Sequence, residues 1–153
     1  MRIAIALMAT AVLIPAVASA HCQVPCGIYD DHARVDAMLE DVSTIAKAVS
    51  KIGSLAAKRD AQSLNQATRW IHTKEVHASR IITTISEYFL TQKIKVPKAG
   101  DKDGLRRYRQ QLADHHKVMK LAMKAKQTVD SNVVDDLRKA IQHLAMWWPA
   151  PKK

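Results

Sequence analysis

Residues 35–52 read VDAMLEDVSTIAKAVSKI, and their apolar side chains recur at alternating steps of three and four. This spacing places the apolar side chains on one face of an α-helix, which has about 3.6 residues per turn. The stripe consists of Val35, Met38, Val42, Ile45, Val49 and Ile52. Asp30 and Asp31 offer N-caps before it, and Gly53 and the polar residues 58–60 weaken and then end the pattern. The sequence therefore predicts a long amphipathic helix.

Three more helices are predicted downstream, over about residues 63–91, 105–128 and 131–148. Asp130 or Ser131 caps the last of them and Pro149 stops it. The second stripe is Leu64, Ala67, Ile71, Ala78, Ile82, Ile85 and Phe89. Glu75 is its one polar member, and a buried carboxylate there needs a charged or hydrogen-bonding partner. The third is Leu105, Tyr108, Leu112, His115, Met119 and Ala122. The fourth is Val134, Leu137, Ile141, Leu144 and Trp148.

The connections between the predicted helices are short, and no segment alternates apolar and polar residues as a strand does. Residues 93–104 contain Pro97, Gly100 and Gly104, and we expect them to form an exposed connection that a helix cannot cross. Four helices joined in this way favour an all-α protein, a single up-down-up-down four-helix bundle.

The first twenty residues have the pattern of a secretory signal peptide. Arg2 supplies the positive start, residues 3–17 are almost wholly apolar, and Ala18-Ser19-Ala20 is a small-residue cleavage site. We therefore expect residues 1–20 to be removed by signal peptidase and residues 21–153 to form the exported domain, periplasmic or secreted. The apolar run is too short for a membrane span of roughly 20 residues, so stable membrane insertion is not expected.

The chain is strongly basic, with 24 Lys and Arg against 14 Asp and Glu. Loss of Arg2 with the signal peptide changes the net charge only from +10 to +9. A cationic surface of this size attracts small anions, nucleic acid, anionic lipid or an acidic polymer, and charge alone does not choose among them. No basic run is interleaved with stacking aromatic residues, so nucleic acid is not an expected partner.

The two cysteines of the chain, Cys22 and Cys26, follow the predicted cleavage site closely. Cleavage there would leave His21 as the first residue, so its amine and imidazole, the Cys22 amide and two thiolates would come together. Thiolate, amine and amide donors suit Ni(II) or Cu(II) in a square-planar site. Pro25 restricts the backbone before Cys26, and Gly27 permits a tight bend after it. A disulfide is the alternative, although it would close a very small loop.

Residues 21–29, HCQVPCGIY, resemble the nickel-hook signature H-C-x-x-P-C-G-x-Y of the nickel superoxide dismutases. Ala33-Arg34 and Asp36 are similar to the opening of that family's first helix. The segments 73–78, TKEVHA, and 87–89, EYF, resemble its second helix. The likeness is strongest over the hook, here defined as residues 21–29.

The resemblance implies a small four-helix bundle that assembles as a homohexamer, with one nickel ion per subunit. Nickel would be held by the His21 amine, the Cys22 amide and the thiolates of Cys22 and Cys26, with the His21 imidazole as axial ligand in the oxidised state. It also implies that superoxide is the substrate, converted to dioxygen and hydrogen peroxide by Ni(III)/Ni(II) cycling. Tyr29 would stand over the open face of the metal as a gate.

The resemblance also assigns roles in the bundle itself. An acidic side chain of the first helix holds the axial imidazole in the family, which maps onto Asp36 as a partner of His21. Some members support that carboxylate with an Arg where this sequence has His77. Tyr88 resembles the family's second active-site tyrosine, which lies near the substrate pocket.

Two other classes of protein share parts of this pattern. An exported protein that sequesters nickel or copper without turnover would use the same ligands as the enzyme. Pro25, Gly27 and Tyr29 at their family positions, with a cationic surface that draws in an anion, favour the enzyme. A structural protein with a Cys22–Cys26 disulfide and a basic surface for an anionic polymer is the third class.

A di-iron bundle is excluded by the spacing of its ligands, because such bundles carry Glu-x-x-His pairs on their helices. None of Glu40, Glu75 and Glu87 has a histidine three residues later.

Overall fold

The computed structural model describes residues 30–151, and it is helical with no strand in that range. The helices are α1 Asp31–Ala56, α2 Ala61–Thr83, α3 Lys102–Gln127 and α4 Ser131–Leu144, with a π-helical segment, Thr84–Lys93, continuing α2. None of the helices in the described range is long and apolar enough to cross a membrane. The predicted signal peptide and the hook lie outside the described residues.

Every α-helix begins at an aspartate whose carboxylate accepts backbone N–H bonds of the first turn. The predicted caps Asp30 and Asp130 are confirmed, with distances of 2.8 Å to His32 N and 2.9 Å to Asn132 N. Asp60 and Asp101 cap α2 and α3, so these helices begin a few residues earlier than the apolar stripes predict. Polar first turns carry no apolar signal, and the cap decides where the helix starts.

Neighbouring helices run antiparallel, as contacts between them establish. Residue numbers that rise along α1 pair with numbers that fall along the π segment and α2. Asp31 bonds Tyr88, and Asp41, ten residues later, bonds His77. The same reversal relates α1 to the C-terminal part of the chain, because His32 bonds Trp148 and Ser43 accepts from Arg138 on α4.

The α2 and α3 sides also run in opposite directions. Lys74 bonds Ala125 near the end of α3, and the ring of Phe89 lies 5.3 Å from that of His115 near its middle. With α4 antiparallel to α1, the described helices form an antiparallel bundle in which successive helices alternate in direction.

The core confirms the predicted stripes of α1 and α4 and corrects that of α2. Every predicted position of the fourth stripe is buried, but Trp148 lies beyond α4, which ends at Leu144 and not at Trp148 as predicted. On α1 only Ile52 is partly exposed. On α2, however, Leu64 and Ile71 are exposed, and Lys74 is buried in their place. The Lys74 ammonium donates to the carbonyls of Ala125 and Lys126, which α3 leaves without intrahelical partners at its C-terminal end. In the N-terminal half of α2, therefore, the buried face differs from the predicted apolar stripe.

Glu75 has the charged partners that a carboxylate in an apolar stripe is predicted to need. Its carboxylate lies 3.2 Å from the ammonium of Lys74 and 3.6 Å from that of Lys126. The third stripe is buried only in its second half, because Leu105 is exposed and the fully buried positions begin at His115.

The predicted second helix does reach past Thr91, but its last ten residues are wound as a π-helix. Ile94 N donates to Phe89 O at 2.9 Å, a bond that spans five residues instead of four. Tyr88 and Phe89, both buried, lie within this segment. Segments of this kind occur frequently at functional sites.

A buried histidine joins the C-terminal turn to the core at this end of the bundle. His115 Nδ1 donates to Gln111 O at 2.7 Å, and Nε2 accepts from Trp148 Nε1 at 3.0 Å. One nitrogen donates and the other accepts, so the ring is the neutral tautomer. Trp148 also stacks on Phe89 at 4.9 Å between ring centroids. Burial lowers the pKa of His115, and its bond to the Gln111 carbonyl opposes this only in part.

We expect His115 to make the fold sensitive to acid. Because its pKa is lower in the folded chain, the unfolded chain takes up the proton first. Stability is therefore complete above about pH 6.5, the ordinary histidine value, and falls as the pH drops below it. Between pH 7 and pH 5 the wild type should lose more unfolding free energy than H115Q does, measured by urea titration at both pH values. Equal losses in the two proteins would contradict the assignment.

Candidate metal centre

The predicted nickel ligands His21, Cys22 and Cys26, and the predicted gate Tyr29, lie outside the described residues. In the sequence the hook is joined through Asp30 to Asp31, the first residue of α1.

Tyr88 lies at the end of the bundle where α1 begins, brought there by the antiparallel packing of the π segment on α1. Its hydroxyl donates to Asp31 Oδ1 at 2.5 Å. The Lys93 ammonium, 3.0 Å away, binds the same oxygen. The guanidinium of Arg34 and the ammonium of Lys93 lie 5.6 and 5.9 Å from the centroid of the Tyr88 ring. The second tyrosine of the family resemblance thus stands beside the point where the hook joins the bundle.

The surroundings of Tyr88 make its hydroxyl a weaker acid than an ordinary phenol. Burial, and then the hydrogen bond and negative charge of Asp31, raise the pKa of Tyr88 to about 12. The nearby charge of Arg34 opposes the shift and is outweighed. Near neutral pH the phenol is protonated, and its O–H is engaged with a carboxylate.

Asp36, the predicted partner of the His21 imidazole, is exposed on the outer side of α1. Its carboxylate lies 3.7 Å from His32 Nε2, one helical turn earlier. The other nitrogen of that ring, Nδ1, donates to the carbonyl of Trp148 at 2.8 Å. Asp36 is thus on the first two turns after the hook, where it is accessible, and its role toward His21 stays a prediction.

His77, the predicted support of Asp36, has another partner. Its Nδ1 donates to Asp41 Oδ1 at 2.6 Å, and the guanidinium of Arg80 binds the same oxygen at 3.0 Å. Asp41 is buried, whereas Arg80 is largely exposed. Within the described residues, therefore, the carboxylate beside His77 is that of Asp41.

The sequence analysis gave Asp31, Lys93 and Asp41 no role at the site. Asp41 had a signal, because it lies three residues after Met38 and four before Ile45 and so falls on the apolar face of α1. A charged residue at such a position predicts a buried ion pair. Asp31 offered only a capping pattern, and its bond to Tyr88 depends on how α1 and the π segment pack.

Residues 30–151 contain no group of three His, Cys, Asp or Glu side chains that could hold a metal ion. The donor set to be tested for a metal is thus the one predicted in the hook.

Comparison with known proteins places the chain in a family. The chain matches none of the curated proteins and none of the solved structures with which it was compared. A family model described as nickel-containing superoxide dismutase matches residues 16–152, nearly the whole chain and including the predicted hook. The chain therefore belongs to the nickel-containing superoxide dismutase family, and it is an oxidoreductase of the superoxide dismutase type.

Proposed function

We propose that the mature chain converts superoxide to dioxygen and hydrogen peroxide with one nickel ion held by His21, Cys22 and Cys26. The observation that carries the proposal is the family match across residues 16–152, which includes all three ligands. Cleavage after Ala20 would free the amine of His21 as a further donor.

The predicted donors fit nickel chemically. Two thiolates with an amine and an amide nitrogen favour a square-planar ion, whereas zinc prefers a tetrahedral site and magnesium oxygen ligands. Bound nickel would supply a one-electron couple, Ni(III)/Ni(II), suited to a substrate that is both oxidised and reduced. Strong anionic donors such as thiolates stabilise the higher oxidation state. The His21 imidazole would supply a further donor to the metal.

The residues of the bundle would serve this centre without touching the metal. We assign to Tyr29 and Tyr88 the positioning of substrate and the exclusion of bulkier molecules at the open face. Proton donation is a poor role for Tyr88, because a phenol with a pKa of about 12 is a very weak acid near neutrality. Asp36 would hold the imidazole of His21 in place by a hydrogen bond.

His77 would act through Asp41, its partner in the bundle. This separates it from Asp36 and weakens the proposed chain of support from His77 to the metal ligand. The net charge of +9 that remains after loss of Arg2 supports attraction of the anionic substrate, which matters most for reactions near the diffusional limit.

Export and assembly are part of the same proposal. The pattern of residues 1–20 supports removal by signal peptidase and a periplasmic or secreted enzyme. Assembly as a homohexamer is proposed from the family resemblance alone. Light scattering of the purified enzyme would test the assembly.

A protein that sequesters nickel or copper without turnover is the second candidate, since its ligands would be the same. Such a protein would bind stoichiometric metal without dismutase activity, and this distinguishes it from the enzyme. The family match favours the enzyme.

The position of the terminal amine gives the test of the proposal. One Ala inserted before His21 in the mature protein should abolish dismutase activity, because the amine moves out of reach while both thiols and the bundle are kept. The matched control is one Ala added after Lys153, which should leave activity and nickel content unchanged. N-terminal sequencing and metal analysis of the same samples complete the measurement. Full activity of the first variant would overturn the proposed ligand set.

A further inference from the structure

We propose that the solvent-facing side of α3 is a binding surface for a linear acidic polysaccharide. This function goes beyond dismutation, and none of its residues is a predicted nickel ligand.

Six cationic side chains share one face of α3. A helix turns about 100° per residue, so these side chains fall within an arc of about 80° and extend over about 33 Å of the helix axis. All six are exposed to solvent. This surface, here called the basic stripe, consists of Lys102, Arg106, Arg109, Lys117, Lys120 and Lys124.

The basic stripe has little compensating negative charge. The two acidic residues of α3, Asp103 and Asp114, lie outside its arc. Arg106 pairs with Asp103 at 3.0 Å, but the two side chains are 79% and 86% exposed, so water screens the pair. Within residues 30–151 the other five cations of the stripe form no ion pair. Their charges are therefore available to an external anion.

A groove lies on the N-terminal half of the basic stripe. Its volume is ≈ 610 Å³, and three of the six cations, Lys102, Arg106 and Arg109, line it. These residues follow one another along the helix at steps of four and three, so the groove extends along the helix axis. A chain of anionic groups lying in this direction would meet successive cations.

The shape of the basic stripe favours a sugar chain over a lipid bilayer. A helix that lies on a membrane buries large apolar side chains in it. The large apolar side chains beside the stripe, Leu105 and Met123, are only 38% and 37% exposed. A single line of cations matches instead the single line of carboxylate or sulfate groups along an acidic polysaccharide.

Nucleic acid and a second copy of the chain fit the basic stripe less well. Single-stranded nucleic acid stacks its bases on aromatic side chains, and no Phe, Tyr or Trp of α3 lies within the arc. Two copies of the stripe would repel each other because both are positive. A polysaccharide needs neither stacking nor apolar contact, because Lys and Arg bind its anionic oxygens by charge-assisted hydrogen bonds.

Binding of heparin, a linear sulfated polysaccharide, to the nickel-loaded mature protein tests the proposal. Two triple variants lose the same three charges, and glutamine keeps a helix propensity close to that of lysine. The stripe variant is K117Q/K120Q/K124Q. The control is K51Q/K58Q/R69Q, at exposed positions on α1, on α2 and between them. Circular dichroism should show the same helical content in both.

The stripe variant should bind heparin about 10-fold more weakly than the wild type at moderate salt, because three exposed ionic contacts of modest strength are lost together. The control should stay within about twofold of the wild type. A second variant in the groove, K102Q/R106Q/R109Q, should weaken binding by a factor similar to that of the stripe variant.

Three results would overturn the proposal. One is a wild type that does not bind heparin. Another is equal weakening in the stripe variant and the control, which would show that net charge alone attracts the polymer. The third is stripe-dependent binding of phosphatidylserine vesicles or of duplex DNA that is tighter than that of heparin, which would assign the surface to another partner.

Discussion

Replacement of Cys22 or of Cys26 by Ser is expected to abolish both nickel binding and superoxide dismutation, the largest effect predicted for this protein. A serine hydroxyl stays protonated at neutral pH and is a hard oxygen donor, so it does not replace a thiolate toward nickel. Metal analysis after purification in nickel-containing medium should give no stoichiometric nickel. Superoxide decay should then follow the rate seen with the metal-free protein.

The matched control for these variants is Q23S, which places a serine in the hook and removes no predicted ligand. It should retain nickel and most of the activity. All three variants should keep the helical content of the wild type, because the described core lies entirely within residues 30–151. Stoichiometric nickel in either cysteine variant would place the metal elsewhere. Mass measurement of the metal-free wild type distinguishes two free thiols from a Cys22–Cys26 disulfide, because the disulfide form is lighter by two hydrogens.

Replacement of Trp148 by Ala should destabilise the folded chain by about 3 to 5 kcal/mol, the usual range for a buried large aromatic side chain. Trp148 is only 9% exposed, and its ring fills the space beside Phe89 and His115. Its loss leaves a cavity and removes the donor for His115 Nε2. Urea unfolding followed by circular dichroism measures the change.

Two phenylalanine variants separate the hydrogen bond from the packing. W148F keeps most of the ring and leaves the buried His115 Nε2 without its donor, at a cost of about 1 to 3 kcal/mol. W147F also loses one indole N–H bond, to Asp114, but that carboxylate is partly exposed and has other partners. It should cost less than about 1 kcal/mol. A W148F protein no less stable than W147F would show that the buried bond contributes nothing.

The tryptophan prediction bears on the site as well as on stability. Trp148 packs on Phe89, whose neighbour Tyr88 carries the hydroxyl beside the hook. The carbonyl of Trp148 also accepts from His32, one residue after Asp31. The C-terminal turn therefore stabilises both sides of the Asp31–Tyr88 contact, and its loss should reduce activity along with stability.

Much of the candidate site was predictable because its signals are local. The hook ligands lie within six consecutive residues, and residue type, spacing and position after a cleavage site identify them without tertiary information. Tyr88 and His77 were identified through the family resemblance alone. Asp31 and Asp41 were not identified as their partners, because each of these contacts joins residues more than thirty positions apart in the sequence.

The amino-acid sequence by itself determined the number of helices, the caps of α1 and α4 and the buried faces of those two helices. Capping and apolar periodicity act over a few residues, so they can be read without knowing what packs against what. Three features were decided only by the tertiary structure. The Lys74 side chain is buried, residues 84–93 form a π-helix, and Tyr88 bonds Asp31. These features depend on the register between antiparallel helices, which is set by side-chain packing and by unpaired carbonyls at helix ends.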